Sequence, residues 1–197
     1  MKSFFSVLAG IVFLVGFVPY ILAILRGEAK PTLVSWIIAA VLDMLALLTM
    51  WEQGAVNGSI VCATLGATIV VVLGLIYGQK GWSKLDVYSL IGAGIGILIW
   101  QIYASPFAGL LISLGVIFIG CIPMIKNTYL HPEHESRSAW MIFWVGCVLA
   151  LFGVPKWDVA NAAQPISFFV IESIMVYLVW IHKPQASKEM FYDDFGV

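Results

Sequence analysis

The chain has 197 residues, 61% of them hydrophobic and 11% charged, with a formal net charge of −1 and a mean hydropathy of +0.99. That balance excludes an ordinary soluble domain and makes the lipid bilayer the chain's solvent. A net charge near zero with no Lys/Arg cluster likewise excludes a nucleic-acid partner and a polybasic lipid-binding arm.

A bilayer crossing takes about 20 mostly apolar residues, and seven stretches qualify: 4–25, 33–51, 56–77, 87–103, 106–125, 138–154 and 159–181. The expected fold class is therefore all-α, a polytopic protein of seven transmembrane helices joined by short loops. The first stretch follows Lys2 and invites reading as a cleaved signal peptide. It lacks a convincing small-residue cleavage site and aligns with residues 107–121, so it reads as a helix carrying Pro19. The second holds Trp36 and Asp43, seven apart and so on one helix face. The third holds Asn57, Thr64 and Thr68, and the fourth is short and Gly-rich. The fifth carries Pro123, and the sixth carries Trp140, Trp144 and Cys147. In the last, Asn161, Gln164, Phe168 and Glu172 recur at spacings of three, four and four, a single stripe along a helix. The tail from 183 onward is polar and acidic.

Charge sets the orientation. With seven crossings, Arg26, Lys30, Lys80, Lys84, Lys126, Arg137, Lys183 and Lys188 share one side, against Lys2 and Lys156 on the other. The positive-inside rule predicts an external N-terminus and a cytoplasmic C-terminus in a multi-pass protein of the plasma (inner) membrane. Trp51, Trp82, Trp157 and Trp180, near the ends of stretches, read as interfacial anchors.

The stretches repeat. Gly16 and Gly120, Pro19 and Pro123, Trp36 and Trp140, and Asn57 and Asn161 all lie 104 residues apart in one ungapped register. Ile21/Ile125, Ile38/Ile142, Val41/Val145 and the conservative Thr32/Ser136 fall into the same register. Matching apolar residues means little in so apolar a chain, but the asparagines are only three, and two of them share it. The division is a first three-helix repeat over 1–79, a linker helix over 80–104, a second three-helix repeat over 105–182, and a tail over 183–197. An odd linker helix lets two repeats run parallel, related by an axis along the membrane normal, with a site at their interface.

The residues that recur resemble the PQ-loop superfamily of SWEET-like seven-helix membrane proteins. The carriers of the resemblance are a proline in the first helix of each repeat, a short basic loop, and a Ser/Thr-x-x-x-Trp opening of the next helix: Pro19 with Thr32 to Trp36, and Pro123 with Ser136 to Trp140. The Pro-Gln dipeptide itself is absent, since Tyr20 and Met124 follow the prolines, and no sugar or amino-acid branch is assigned. The resemblance implies alternating access, with Pro19 and Pro123 as hinges; a proline in a membrane helix is otherwise a static kink.

The polar stripe of the last helix and its counterparts 104 residues earlier define an expected substrate pathway: Asn57, Thr64, Thr68, Asn161, Gln164, Phe168 and Glu172. Polar groups in hydrocarbon need partners, and interhelical hydrogen bonding that only holds the bundle together is the alternative. Acids at mid-membrane cost about 3 kcal/mol on insertion scales and usually face a cavity, so Glu172 and Asp43 are proton-coupling candidates. Asp43 aligns with Cys147, and Glu172 has the more polar stripe. Trp36 and Trp140 read as an aromatic wall or as anchors. The cysteines Cys62, Cys121 and Cys147 lie inside the stretches at no metal-ligand spacing, which reads as small buried residues without disulfides. His131, Glu133, His134 and Glu135 crowd one loop, yet no helical His-x-x-x-His spacing supports a closed metal centre, and no cofactor is expected. A retinal protein needs a lysine in the last helix, and residues 159–181 have none. An enzyme needs clustered catalytic groups, and all three histidines fall outside the stretches. The expectation is a transporter of a small polar solute; a receptor or trafficking adaptor with the same seven helices is the alternative, and oligomeric state is open.

Overall fold

The computed structural model describes residues 1–78, 84–103 and 106–182. Lys80, Trp82, Lys183, Lys188 and the tail lie outside the described residues. Those described form seven α-helices: α1 (Lys2–Leu25), α2 (Leu33–Glu52), α3 (Gly58–Tyr77), α4 (Lys84–Tyr103), α5 (Pro106–Leu130), α6 (Arg137–Gly153) and α7 (Val159–Trp180), with a 3-10 turn at Pro132–His134 before α6. No strand occurs among them. Helices α1, α2, α3, α5 and α7 are long and apolar enough to cross a membrane, and α6 is apolar but shorter. The protein is an all-helical, multi-pass membrane protein.

Local chemistry sets the helix starts. Asn57 Oδ1 accepts from Ile60 N at 3.0 Å, Ser136 Oγ from Ala139 N at 3.5 Å and Asp158 Oδ1 from Asn161 N at 3.1 Å, each satisfying a donor that a helix start otherwise leaves orphaned. The largest boundary difference from the sequence reading is at the end of α5. The fifth helix was expected to end at 125, yet α5 runs to Leu130, and Thr128 is buried with its hydroxyl donating to Met124 O at 2.9 Å. Hydropathy marks the edge of the apolar layer, whereas the hydrogen-bond ladder continues until Pro132 forbids it.

Helix α1 packs on α3 and α6, α2 on α3 and α5, α7 on α5 and α6, and α4 on α5. Small residues permit the closest approaches. A Cβ added at Gly10 would meet Gly58 O at 2.8 Å, and one at Gly16 would meet the Phe143 ring at 2.6 Å and Ile142 Cγ2 at 3.3 Å. One added at Gly120 would run into Ile38. Without a hydrophobic force between helices in lipid, such close packing supplies much of the association energy. The outward faces carry exposed Leu14, Val18, Leu25, Leu48 and Leu75, a surface suited to hydrocarbon.

The two ends of the bundle are tied differently. At one, Lys2 Nζ donates to Pro155 O at 2.8 Å, and Trp51 and Trp157 are exposed, as anchors would be. At the other, Lys30 N donates to His134 O at 3.0 Å, Trp180 Nε1 to Arg137 O at 3.3 Å, and the Tyr129 and His182 rings stack at 4.2 Å.

Candidate functional site

Seven aromatic rings meet in the middle of the bundle. Phe13, Phe17 and Tyr20 recur along one face of α1. They face Trp36 from α2, Trp140 and Phe143 from α6, and Phe168 from α7. Phe17 lies 4.7 Å from Phe143, Tyr20 5.4 Å from Trp36, and Trp36 6.5 Å from Trp140 between ring centroids. Both tryptophans are buried, so they are wall residues and not interfacial anchors.

All of these rings except Tyr20 line a cavity of about 70 Å³ that reaches Asp43 on α2 and Glu172 on α7. Its remaining lining is almost entirely apolar; Ser35 and Cys121 are the other side chains there with a polar or polarisable head. Asp43 and Glu172 are 5% and 8% exposed. Glu172 Oε2, Ser35 Oγ and Trp36 Nε1 are buried with no hydrogen-bond partner. Among the described residues, no Lys, Arg or His lines the cavity.

The expected pathway is distributed over two spaces. Asn57 and Asn161 line a second cavity of about 240 Å³ at the end of the bundle that holds Lys2, together with Ser6, Gly153 and Pro165. Phe168 and Glu172 line the central one. Gln164 stands between them on α7, fully buried, its Oε1 accepting from Asn57 Nδ2 at 2.8 Å. Asn161 also donates its amide to Asp158 Oδ1 at 2.7 Å, and this amide, with the Asn161 backbone N–H and then Lys156, holds the Asp158 carboxyl below the usual carboxylate range.

The threonines depart from the reading. Thr64 is buried, but its hydroxyl donates to Ile60 O at 2.8 Å. Thr68 is exposed on the outer face and donates to Thr64 O at 2.8 Å. Thr68 is therefore withdrawn from the pathway. It shares a register with Glu172, but its side chain is exposed where that of Glu172 is buried, and it satisfies itself on its own helix. Pro19 is half-buried and Pro123 buried, and α1 and α5 run through them. Each leaves one carbonyl, of Val15 and Ile119, without its usual donor. Pro165, inside α7, is a third such position that the repeat register does not mark.

Behind the tryptophan pair stand Tyr20, against both rings, and Glu135. Glu135 is buried just before α6, and its Oε2 accepts from Trp140 Nε1 at 2.9 Å. Its Oε1 and the neighbouring Tyr20 Oη are buried close to one another, short of good hydrogen-bond geometry. Burial pushes the Glu135 carboxyl up to about 7, against the opposing pull of Trp140 and Tyr20. The loop reading named Glu135 only as one of four clustered polar residues. Nothing in the sequence distinguishes it from Glu133, which is exposed and lies 3.3 Å from His131 Nδ1. Potential ligand atoms of His131, Glu133 and His134 lie within 4.8 Å of one another at the surface. Comparison of the chain with protein-family models, with curated proteins and with solved structures yields no match.

Proposed function

We propose that this protein is a plasma-membrane (inner-membrane) transporter of a small polar solute, working by alternating access, with Glu172 and Asp43 coupling it to protons. The observation that carries the reading is the central cavity, apolar and aromatic except for two acids contributed by helices from opposite halves of the chain. Two buried carboxyls, one with an oxygen left unpartnered at Glu172, are costly in a protein that only needs to span a membrane.

In this reading all seven helices cross, with 1–79 and 105–182 as parallel repeats and α4 as the linker between them. Two features support it. Exchanging α1 with α5, α2 with α6 and α3 with α7 carries each packed pair within or between the repeats onto another such pair. Gly16 lies against Ile142, and its counterpart Gly120 lies against Ile38, the counterpart of Ile142. At 1.5 Å per residue, the 17 residues of α6 reach about 26 Å, the short end of the spanning range. Arg26, Lys30, Lys84, Lys126 and Arg137 gather at the end opposite Lys2 and Lys156, which favours a cytoplasmic C-terminus.

Solute sites commonly exceed about 300 Å³, so loading requires the halves to part. Closure at one end rests on the Asn57–Gln164 hydrogen bond and at the other on Tyr20, Trp36 and Trp140. Pro19 and Pro123 are the hinge positions. The test is counterflow in proteoliposomes across labelled sugars, amino acids, vitamins and small ammonium compounds. Exchange of any of these by the wild type supports transport. Loss of proton-driven accumulation with retained exchange in Glu172→Gln assigns the coupling. Folded protein that exchanges nothing in the panel turns the reading to a receptor.

A further inference from the structure

We infer that the solute is a compact organic cation, an ammonium compound, which competes with a proton for the Asp43/Glu172 cavity and is carried in exchange for it. The inference rests on the transporter reading and narrows it to one class of solute and one direction of coupling.

Charge is the first ground. Of the titratable groups facing the cavity, Asp43 comes from α2, Cys121 from α5 and Glu172 from α7, while α1, α3 and α6 bring rings and small apolar groups. Tyr20 and Cys147, buried just behind this lining, ionise only to anions, as does Glu135 beyond them. No basic side chain lines the cavity among the described residues, and Glu172 Oε2 has no partner. An enclosed carboxylate needs a positive charge beside it, and removing the partner of a buried charge is among the costliest changes a protein can suffer. A proton or an ammonium group each meets that need, and at one carboxylate they exclude each other.

Shape is the second ground. The walls carry the aromatic rings of Phe13, Phe17, Phe143, Phe168 and the tryptophan pair. Rings of this kind attract a weakly hydrated cation. They offer little to a sugar, which needs several hydrogen-bonding partners, and nothing to an anion. A bare metal ion requires a shell of six or more oxygen ligands if it resembles calcium or magnesium, and here the two carboxyls and Ser35 Oγ are the oxygens in view. The cavity holds several waters at about 70 Å³, room for a small ammonium head.

The exchange balances simply. One acid keeps its proton throughout; when the cation enters from one side, the proton of the other carboxyl leaves to that same side, and when the cation departs on the other side, a proton returns from there. One cation crosses one way and one proton the other, with no charge left uncompensated in the cavity.

Tetramethylammonium, permanently charged, is the probe. Wild-type protein in a weakly buffered detergent solution should release protons on adding tetramethylammonium chloride, near one per cation bound, and none on adding sodium chloride. In proteoliposomes with an acidic interior, labelled tetramethylammonium should accumulate and should be lost when the gradient is dissipated. Where the acid is mostly protonated, its apparent affinity should fall about tenfold per pH unit of external acidification, as one-proton competition requires. The double variant Asp43→Asn/Glu172→Gln should bind it at least tenfold more weakly. The wild-type proton release stands as a test even where that variant does not fold. Exchange of labelled glucose or alanine with no binding of tetramethylammonium overturns the cation inference and leaves the transporter reading intact. Proton release without exchange of any solute keeps the cation site and overturns transport. Sodium releasing protons while tetramethylammonium does not overturns the organic class, and the absence of both release and exchange overturns both readings.

Discussion

Replacing Glu135 by glutamine isolates the one buried acid among the described residues that lies outside the helices α1 to α7. Its carboxyl is raised from an ordinary 4.5 to about 7, because burial removes water that the Trp140 indole replaces only in part. The folded state therefore holds this proton over a range of pH in which the unfolded chain has released it. Stability is at its full value below about 4.5, falls as pH rises toward 7, and levels off above it. A displacement of that size corresponds to about 3 kcal/mol between the two limits. Glutamine keeps an oxygen for Trp140 Nε1, adds an amide N–H beside Tyr20 Oη, and carries no charge at any pH. Thermal unfolding of detergent-solubilised protein, followed by helical circular dichroism from pH 4 to 8.5, reads the effect. The wild type should lose stability across this range, whereas Glu135→Gln should remain flat there and be the more stable protein at pH 8. Parallel curves for the two proteins would refute the assignment, and a variant less stable at pH 8 would show that the charged form is compensated.

Three further outcomes follow from the packing. Gly16→Ala and Gly120→Ala should each destabilise by about 1–3 kcal/mol through overpacking, and shortening Ile38 to Ala should relieve Gly120→Ala but not Gly16→Ala. Equal relief of both in equilibrium unfolding would contradict the contacts. Asn57→Ala should cost about 2 kcal/mol, because it removes both the α3 cap and the partner of fully buried Gln164; a double-mutant cycle with Gln164→Ala should show coupling, and strict additivity would argue against the hydrogen bond. In a cysteine-free background, an impermeant thiol reagent should label a cysteine introduced at Trp157 from outside and leave one at Glu133 unlabelled, and the reverse would invert the proposed topology.

The register of 104 residues was legible because it joins residues whose types are rare or whose size is demanding. It pairs Trp36 with Trp140, and the two rings meet at the centre; it pairs Gly16 with Gly120 and Ile38 with Ile142, and these meet crosswise. The rest of the wall was hidden by composition. Phe13, Phe17 and Tyr20 have helical spacing, but in so apolar a chain a face rich in rings does not stand out from a face turned to lipid. Glu135 was hidden for a different reason, since its burial depends on Trp140 and Tyr20 closing over it, a tertiary fact with no local sign.

A repeat register proposes which positions correspond, and the way each side chain faces then decides which of them line the cavity. Thr68 and Glu172 share the 104-residue register, yet the threonine is exposed and closes on its own helix while the glutamate is buried and lines the cavity. Asp43 and Cys147 show the same break in α2 and α6: both are buried, but only Asp43 lines the cavity. Each half thus contributes one acid, from non-corresponding helices. Had both acids occupied corresponding positions, a two-fold cavity would have set them in like environments with nothing to distinguish their roles. As built, Glu172 lies about two turns along α7 from Gln164, which meets Asn57, and Asp43 shares a face of α2 with Trp36. Under the proposed alternation, a movement that opens one end would change the surroundings of one acid before the other, and that inequality would give a proton a direction that a symmetric pair lacks.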